Sequence, residues 1–239
     1  MDVRRPVQAV IFDLWLTLIP FPADVRADTF RRMSEALALD PDDLRPHWTA
    51  TRAERETMDL RSFLERLGRR LTTGWSQATI EAAIAARMRS HAICFADPFP
   101  DGREAIHALR RRNVTVGLVS NCTSDVRLAL VEHGMDRWFD EVILSAEVGV
   151  MKPAPEIYTT VADRLGIDPA ACLYVGDGSD DELIGAASAG MTPILYDRDR
   201  AYPATDGLVV SSHLELLAHV DRPSVDRPGE AGAPGDRAR

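Results

Sequence analysis

The chain predicts an α/β fold, a parallel β-sheet flanked by helices, with a block of helices set between its first strand and the rest. Three observations carry this prediction. Residues 8–19 open on a short apolar run. Residues 21–95 show helical periodicity and almost no strand signal. From Val114 onward, short β-rich runs alternate with amphipathic stretches, which is the pattern of a parallel sheet whose crossovers pack on its faces. The expected organisation is therefore a sheet-bearing core over residues 1–20 and 96–220, a helical unit over 21–95, and a tail over 221–239.

Val10, Ile11 and Phe12 form an apolar run of the kind expected of a strand buried on both faces. Four helices are expected to follow. Phe30, Met33, Leu37 and Leu39 share one helix face. Asp40-Pro41 starts the next, with Asp40 as cap and Pro41 in the first helical position. Leu60, Phe63, Leu64, Leu67 and Leu71 keep a 3, 4, 3, 4 rhythm. Ser76 is placed to cap a helix whose stripe is Ile80, Ala83, Ile84 and Met88. Four in a row read as a small bundle.

Asp97-Pro-Phe-Pro100 breaks that pattern, and Gly102 to Arg112 makes a further helix. Strands are then expected at Thr115–Val119, Val142–Leu144, Cys172–Val175, Thr192–Tyr196 and Leu208–Val210. Helices are expected at Ser124–His133, Pro155–Leu165, Glu182–Ala189 and Ser211–Val220. Residues 221–239 are rich in Pro, Gly, Asp and Arg, cannot bury a core and read as disordered.

Composition limits the function. A net charge of −9 over 239 residues argues against nucleic-acid and anionic-membrane partners, which demand basic patches. No apolar run approaches the roughly 18 residues of a membrane span. The N-terminal residues lead straight into the first strand, so no signal peptide is expected. Cys94, Cys122 and Cys172 are far apart and odd in number, as free thiols of a reducing cytoplasm would be, and they show no zinc pattern. Cys122 reads as a packed thiol. His91, His107, His133 and His219 read as surface or capping groups, and Trp48 and Trp75 as bundle core. Monomer and homodimer both remain open.

Four strand ends carry polar residues. In an open parallel sheet, ligands bind at the carboxyl ends of strands. Asp13, closing the first strand, can there serve as nucleophile or metal ligand, with the Thr17 hydroxyl four residues on. Its competing role is to cap a strand-to-loop turn. Ser120-Asn121 places a hydroxyl and an amide at a second strand end, where a plain turn is the alternative. Lys152 is held between an apolar run and a proline-stiffened loop opening a helix, which can fix an ammonium near an anion. The ordinary role for such a residue is a solvated surface charge. Asp177, Asp180, Asp181 and Glu182 put four acids in six positions. Either a hard cation such as Mg²⁺ offsets them or they form a solvated, dipole-favoured helix start. Asp177, directly after Gly176, is the best placed ligand. A nucleophile, hydroxyl and amide donors, a cation and a metal site are the equipment of phosphoryl transfer.

In this order the residues resemble the motifs of the haloacid dehalogenase (HAD) superfamily of hydrolases, over roughly residues 8–215. The resemblance implies a Rossmann-like core with a helical cap, here residues 21–95, inserted after the first motif. It also implies a covalent aspartyl intermediate on Asp13 and a small phosphorylated substrate. Mg²⁺ would be held by Asp13, Asp177 and the backbone carbonyl of Trp15. Ser120 and Thr17 would contact the phosphoryl group, Lys152 would neutralise it, and Asn121 would support both backbone and substrate. The second acid of the last motif falls on Glu182 by five-residue spacing, with Asp181 as the fallback.

One position departs from the pattern. Phosphatases of this family carry Asp-x-Asp, whose second Asp protonates the leaving alcohol. Here that residue is Trp15, which donates one N–H and shuttles no proton. General acid–base help is worth about 10²–10⁴-fold, and Glu54, His47 and Asp59 of the cap are the candidates to supply it. The haloacid dehalogenases resemble this chain in having an aromatic residue there, but they lack the metal Asp kept here as Asp177. Three functions are therefore carried forward. They are a Mg²⁺-dependent phosphatase, a 2-haloacid dehalogenase-like enzyme, and a weakly active or non-enzymatic binder of a phosphorylated ligand.

Overall fold

The computed structural model describes residues 6–72, 74–202 and 207–220. Its centre is β1 (Ala9–Phe12), all four of whose residues are fully buried. Successive side chains of a strand point to opposite faces. Val10 and Phe12 accordingly enter one hydrophobic core and Ala9 and Ile11 another on the far side of the sheet. Each large side chain buried this way stabilises the fold by about 1.5–3 kcal/mol.

The chain then leaves the sheet for a block of helices. These are α1 (Ala23–Ala36), α2 (Pro41–Ala50), α3 (Arg52–Arg55), α4 (Leu60–Leu71) and α5 (Gln77–Ala96). The block holds a third core around Met33, Leu44, Phe63, Leu67 and Ile80, against which Trp48 and Trp75 pack. Asp40, Asp59 and Ser76 cap α2, α4 and α5, accepting from the backbone N–H of Asp42, Ser62 and Thr79. The short turn α3 is one helix more than the periodicity predicts. It is too short to show a repeat.

After α6 (Pro100–Arg111) come β2 (Thr115–Ser120), α7 (Asp125–Glu132), β3 (Glu141–Leu144), α8 (Ser145–Val148) and α9 (Pro155–Leu165). They are followed by β4 (Cys172–Gly176), α10 (Glu182–Ser188), β5 (Thr192–Tyr196), β6 (Leu208–Val210) and α11 (Leu216–Val220). All neighbours in the sheet are parallel, in the order β3-β2-β1-β4-β5-β6. The strand order reverses beside β1, the place where open α/β sheets bind ligands.

Three expectations are corrected. The helix expected from Gly102 begins at Pro100, because proline is tolerated in a first turn whose N–H has no partner anyway. The helix expected over Ser211–Val220 begins only at Leu216. Ser212 first caps a 3₁₀ turn, accepting from Leu214 N. His91 is not a surface group. It is 3% exposed, because α5 runs on to Ala96 and its last turns pack on α7. The three cysteines are free, as expected, and Cys122 is packed as expected; Cys94 and Cys172 are buried too. The expected tail lies outside the described residues. Among the described residues no helix is long and apolar enough to cross a membrane.

Candidate active site at the carboxyl ends of the strands

β1 delivers Asp13 to the sheet's carboxyl edge, where its N–H continues the ladder to Val175 O at 2.8 Å. The chain then turns tightly. Leu16 takes a left-handed conformation at φ 61°, its N–H donates to Ile19 O, and Leu18 and Ile19 donate to Leu14 O. None of these bonds uses the Trp15 carbonyl. The turn folds Thr17 inward, fully buried, while the Trp15 ring leaves toward Phe21.

Lys152 reaches Asp13 from the loop between β3 and α9. Its Nζ donates to Asp13 Oδ1 at 2.5 Å, to Glu182 Oε2 at 2.6 Å and to Tyr174 Oη at 3.0 Å. Asn121 holds the Lys152 backbone, with its amine donating to Lys152 O at 3.0 Å and its carbonyl accepting from Lys152 N at 2.7 Å. That amide positions the lysine. The backbone role expected of Asn121 is thus filled, and its polar atoms are already engaged. From the other side, Gly185 of α10 lies so close to Pro153 that a Cβ would sit 2.3 Å from its carbonyl oxygen.

Of the acids after β4, the structure brings Asp177 and Glu182 to this point. One carboxylate oxygen each from Asp13, Asp177 and Glu182 lie within 4.8 Å of one another. Glu182 is fully buried and accepts from Lys152, from Tyr174 Oη at 2.7 Å and from Gly178 N at 3.0 Å. Gly176 makes room for it, since a Cβ there would meet Glu182 Oε1 at 2.1 Å. Asp181 is exposed, outside the cluster and in a left-handed conformation. Asp177 accepts at Oδ1 from Ser179 N and Oγ.

Electrostatics follow from this burial. Desolvation pushes the Asp13 carboxyl up to about 7 against the pull of Lys152, and Glu182 and Asp177 push the same way. Burial works against the Lys152 charge, but Asp13 and Glu182 outweigh it and hold that ammonium above the usual lysine range. Burial also raises Asp177. Three carboxylates thus face one ammonium, an excess of negative charge that a divalent cation would offset. The donor set, all carboxylate oxygen, suits Mg²⁺.

Two hydroxyls complete the site. Thr17 Oγ1 and Ser120 Oγ are fully buried and have no hydrogen-bond partner. Buried polar groups are rarely left so; Ser120 ends β2, the strand paired with β1, and Thr17 lies in the turn that follows Asp13. Of the acid/base candidates from the helical block, none comes free to the site. Glu54 is bound by Arg70 at 2.7 Å, Asp59 caps α4, and His47 is exposed.

Sequence reasoning missed Tyr174 and the contacts that tie the helical block down. A tyrosine inside an otherwise apolar strand was the available signal, since a buried hydroxyl must find a partner. Arg52 of α3 forms a two-pronged pair with Asp180 across the interface, 2.7 Å for its Nη1 bond, and is backed by Glu56. Arg87 Nε and His91 Nε2 both bind Asp125 Oδ2 at 2.9 Å. The sequence gives no spacing by which to find pairs so far apart.

Comparisons with known proteins show the family and the fold. A family model described as haloacid dehalogenase-like hydrolase matches residues 7–190. A glyceraldehyde 3-phosphate phosphatase from Methanopyrus kandleri is 29% identical over 201 residues, covering 81% of this chain and 85% of its own length. A phosphatase from Mycobacterium tuberculosis is 31% identical over 201 residues, covering 80% of this chain and 88% of its own. The crystal structure of a HAD phosphatase from Thermococcus onnurineus shares the fold, with a TM-score of 0.66 at 22% identity, covering 90% of this chain and 98% of that one.

Proposed function

The chain belongs to the haloacid dehalogenase-like hydrolase family and is an enzyme, and we propose that it is a Mg²⁺-dependent phosphatase acting through a phosphoryl group carried on Asp13. The observation that carries this reading is the cluster of buried Asp13, Lys152 and Glu182 with half-buried Asp177, together with the unpartnered buried hydroxyls of Thr17 and Ser120. The names of the relatives, both phosphatases, support it.

In this reading Asp13 attacks phosphorus, and the leaving group departs as the Asp13–phosphoryl bond forms. Water then attacks the same phosphorus and returns the Asp13 carboxylate. Lys152 neutralises charge on the transferred oxygens, while Ser120 and Thr17 donate hydrogen bonds to them. Glu182, with Tyr174 and Asn121, fixes the lysine. Asp13 and Asp177 would hold Mg²⁺, with Glu182 beside them and the Trp15 carbonyl free of the turn's own bonds. The ion would supply charge neutralisation at the phosphoryl oxygens. Residues 21–95 act as the cap. The Arg52–Asp180 and Arg87–Asp125 contacts seat α3 and α5 on the catalytic loops.

The reading is tested with a panel of phosphate compounds, assayed with Mg²⁺ and after EDTA. Turnover that survives EDTA, or its absence across the panel, overturns it. Because the ion must displace the Asp13 proton, its affinity by calorimetry is expected to be about tenfold weaker at pH 6 than at pH 8. Ser120→Ala tests the hydroxyl. Activity is expected to fall by about 10–100-fold while stability stays level or rises by up to ~1 kcal/mol, since the bond it makes exists only with substrate. Equal losses in both would place Ser120 in the scaffold instead. Trp15 favours one alternative, a dehalogenase-like attack of Asp13 on carbon. Halide release from 2-haloacids with a silent phosphate panel would select it.

A further inference from the structure

The position that would carry a leaving-group acid is occupied by Trp15, and the structure shows where its side chain goes. The indole stacks on Phe21 at 4.6 Å between ring centres, meets Phe95 edge-on at 5.8 Å and lies 5.7 Å from the His91 ring. Phe21 and Phe95 flank the two crossovers between the core and the helical block. Trp15 therefore closes an aromatic cluster where the helical block joins the core. It gives the site no proton.

With Asp177 assigned to the ion and Asp181 exposed outside the cluster, the other titratable groups around the site are each engaged elsewhere. Asp125 is buried and held far below the usual carboxylate range, where burial is outweighed by Arg87, His91 and Thr123. It stays ionised. His91 has spent Nε2 on Asp125 and is packed against Trp15 and Phe95 at 3% exposure. Glu56 is bound by Arg52 and Arg55, and Asp180 by Arg52. Glu182 is spent on Lys152, Tyr174 and Gly178.

From this, and resting on the phosphatase reading above, we infer that the substrate is a phosphate whose leaving group departs as a stable anion: an acyl, enol or aryl phosphate, not an alkyl ester. An Asp13 oxygen bonds to phosphorus while the bond from phosphorus to the leaving oxygen breaks. The electron pair stays on that oxygen. A carboxylate, enolate or phenolate leaves with it unprotonated, whereas an alkoxide requires a proton that Trp15 cannot give. The second half of the cycle obeys the same rule. The Asp13–phosphoryl intermediate is itself an acyl phosphate, so when water attacks phosphorus the Asp13 carboxylate leaves as an anion. The water's proton goes with the phosphate product.

Three compounds built on one ring isolate the effect: benzoyl, phenyl and benzyl phosphate, which release a carboxylate, a phenolate and an alkoxide. With wild-type enzyme and Mg²⁺, kcat/KM is expected to fall in that order, with benzyl phosphate slower than benzoyl phosphate by about 10²–10⁴-fold or more. Trp15→Asp should narrow the ratio, because a new acid helps only the alkoxide. Trp15→Phe should leave it wide. Ratios are taken within each variant, so a general loss of activity does not imitate the result, and the wild-type ratio stands even if a variant fails to fold. Benzyl phosphate turnover within tenfold of benzoyl phosphate in the wild type overturns the inference and leaves the phosphatase reading intact. Hydrolysis of none of the three overturns the inference if alkyl phosphates of the wider panel are turned over, and defeats the phosphatase reading itself if that panel is silent too.

Discussion

Asp13→Asn is expected to lower kcat by about 10⁴-fold or more, because an amide does not form the covalent intermediate and the buried Glu182 is held by Lys152 and Tyr174. The protein should still fold, since the amide keeps the shape of the side chain. Its stability relative to wild type carries a pH signature. The Asp13 carboxyl titrates near 7 in the folded state against 3.8 unfolded. Between those values the folded protein holds a proton that the unfolded chain has released. The stability linked to that proton is fully present below about pH 4 and is lost as pH rises through 7. Asparagine does not titrate. Thermal melts in EDTA should therefore show the variant gaining on wild type from pH 4 to pH 8. A difference that stays flat across this window contradicts the raised Asp13 value.

Lys152→Met should be the most damaging change to both fold and activity. Asp13 is 4% exposed and Glu182 fully buried, and this ammonium joins them. Removing one member of a buried charge cluster leaves the others uncompensated, which costs about 3–5 kcal/mol. Methionine fills the stem's volume, so the loss reports charge more than packing. In the variant the Asp13 carboxyl, already raised by burial with its partner in place, rises further. The deficit should consequently be largest at pH 8 and shrink toward pH 5. Denaturant melts in EDTA at the two pH values measure this. kcat should fall by about 10³-fold, the scale of losing a positioned charge at the transferred oxygens. Full stability with lost activity would show that Lys152 serves substrate alone. Retained activity would remove it from the site.

The sequence carries those parts of the fold that are local. Alternating buried strands and amphipathic helices are written in periodicities of two and 3.6, so Thr192–Tyr196, Leu208–Val210 and Pro155–Leu165 stand where the pattern puts them. The turn α3 spans four residues, too few for a period to emerge. At the site, strand ends announce Asp13 and Asp177, because a charge directly after an apolar run is unusual wherever the strand is buried, whereas Lys152 stands not at a strand end but in the loop between α8 and α9. Packing brings Glu182, not Asp181, to the cluster. Gly176 leaves space for the longer acid, and the left-handed turn at Asp180 and Asp181 directs those two elsewhere. Pairings across the fold are beyond such reading. Nothing local marks Asp125 as the partner of His91, or Asp180 as the partner of Arg52 at 128 residues' separation. Asn121 reads as a backbone-and-substrate contact, and only the structure shows that the backbone it holds is that of Lys152.

The central claim is that the phosphoryl group passes through Asp13. Enzyme mixed with benzoyl phosphate and Mg²⁺, quenched in acid within the first turnovers and digested, gives a direct measurement by peptide mass analysis. The account predicts a phosphoryl adduct confined to the peptide bearing Asp13, absent from Asp13→Asn and absent when EDTA precedes the substrate. Steady hydrolysis with no adduct on that peptide, matched by full turnover in Asp13→Asn, would contradict it.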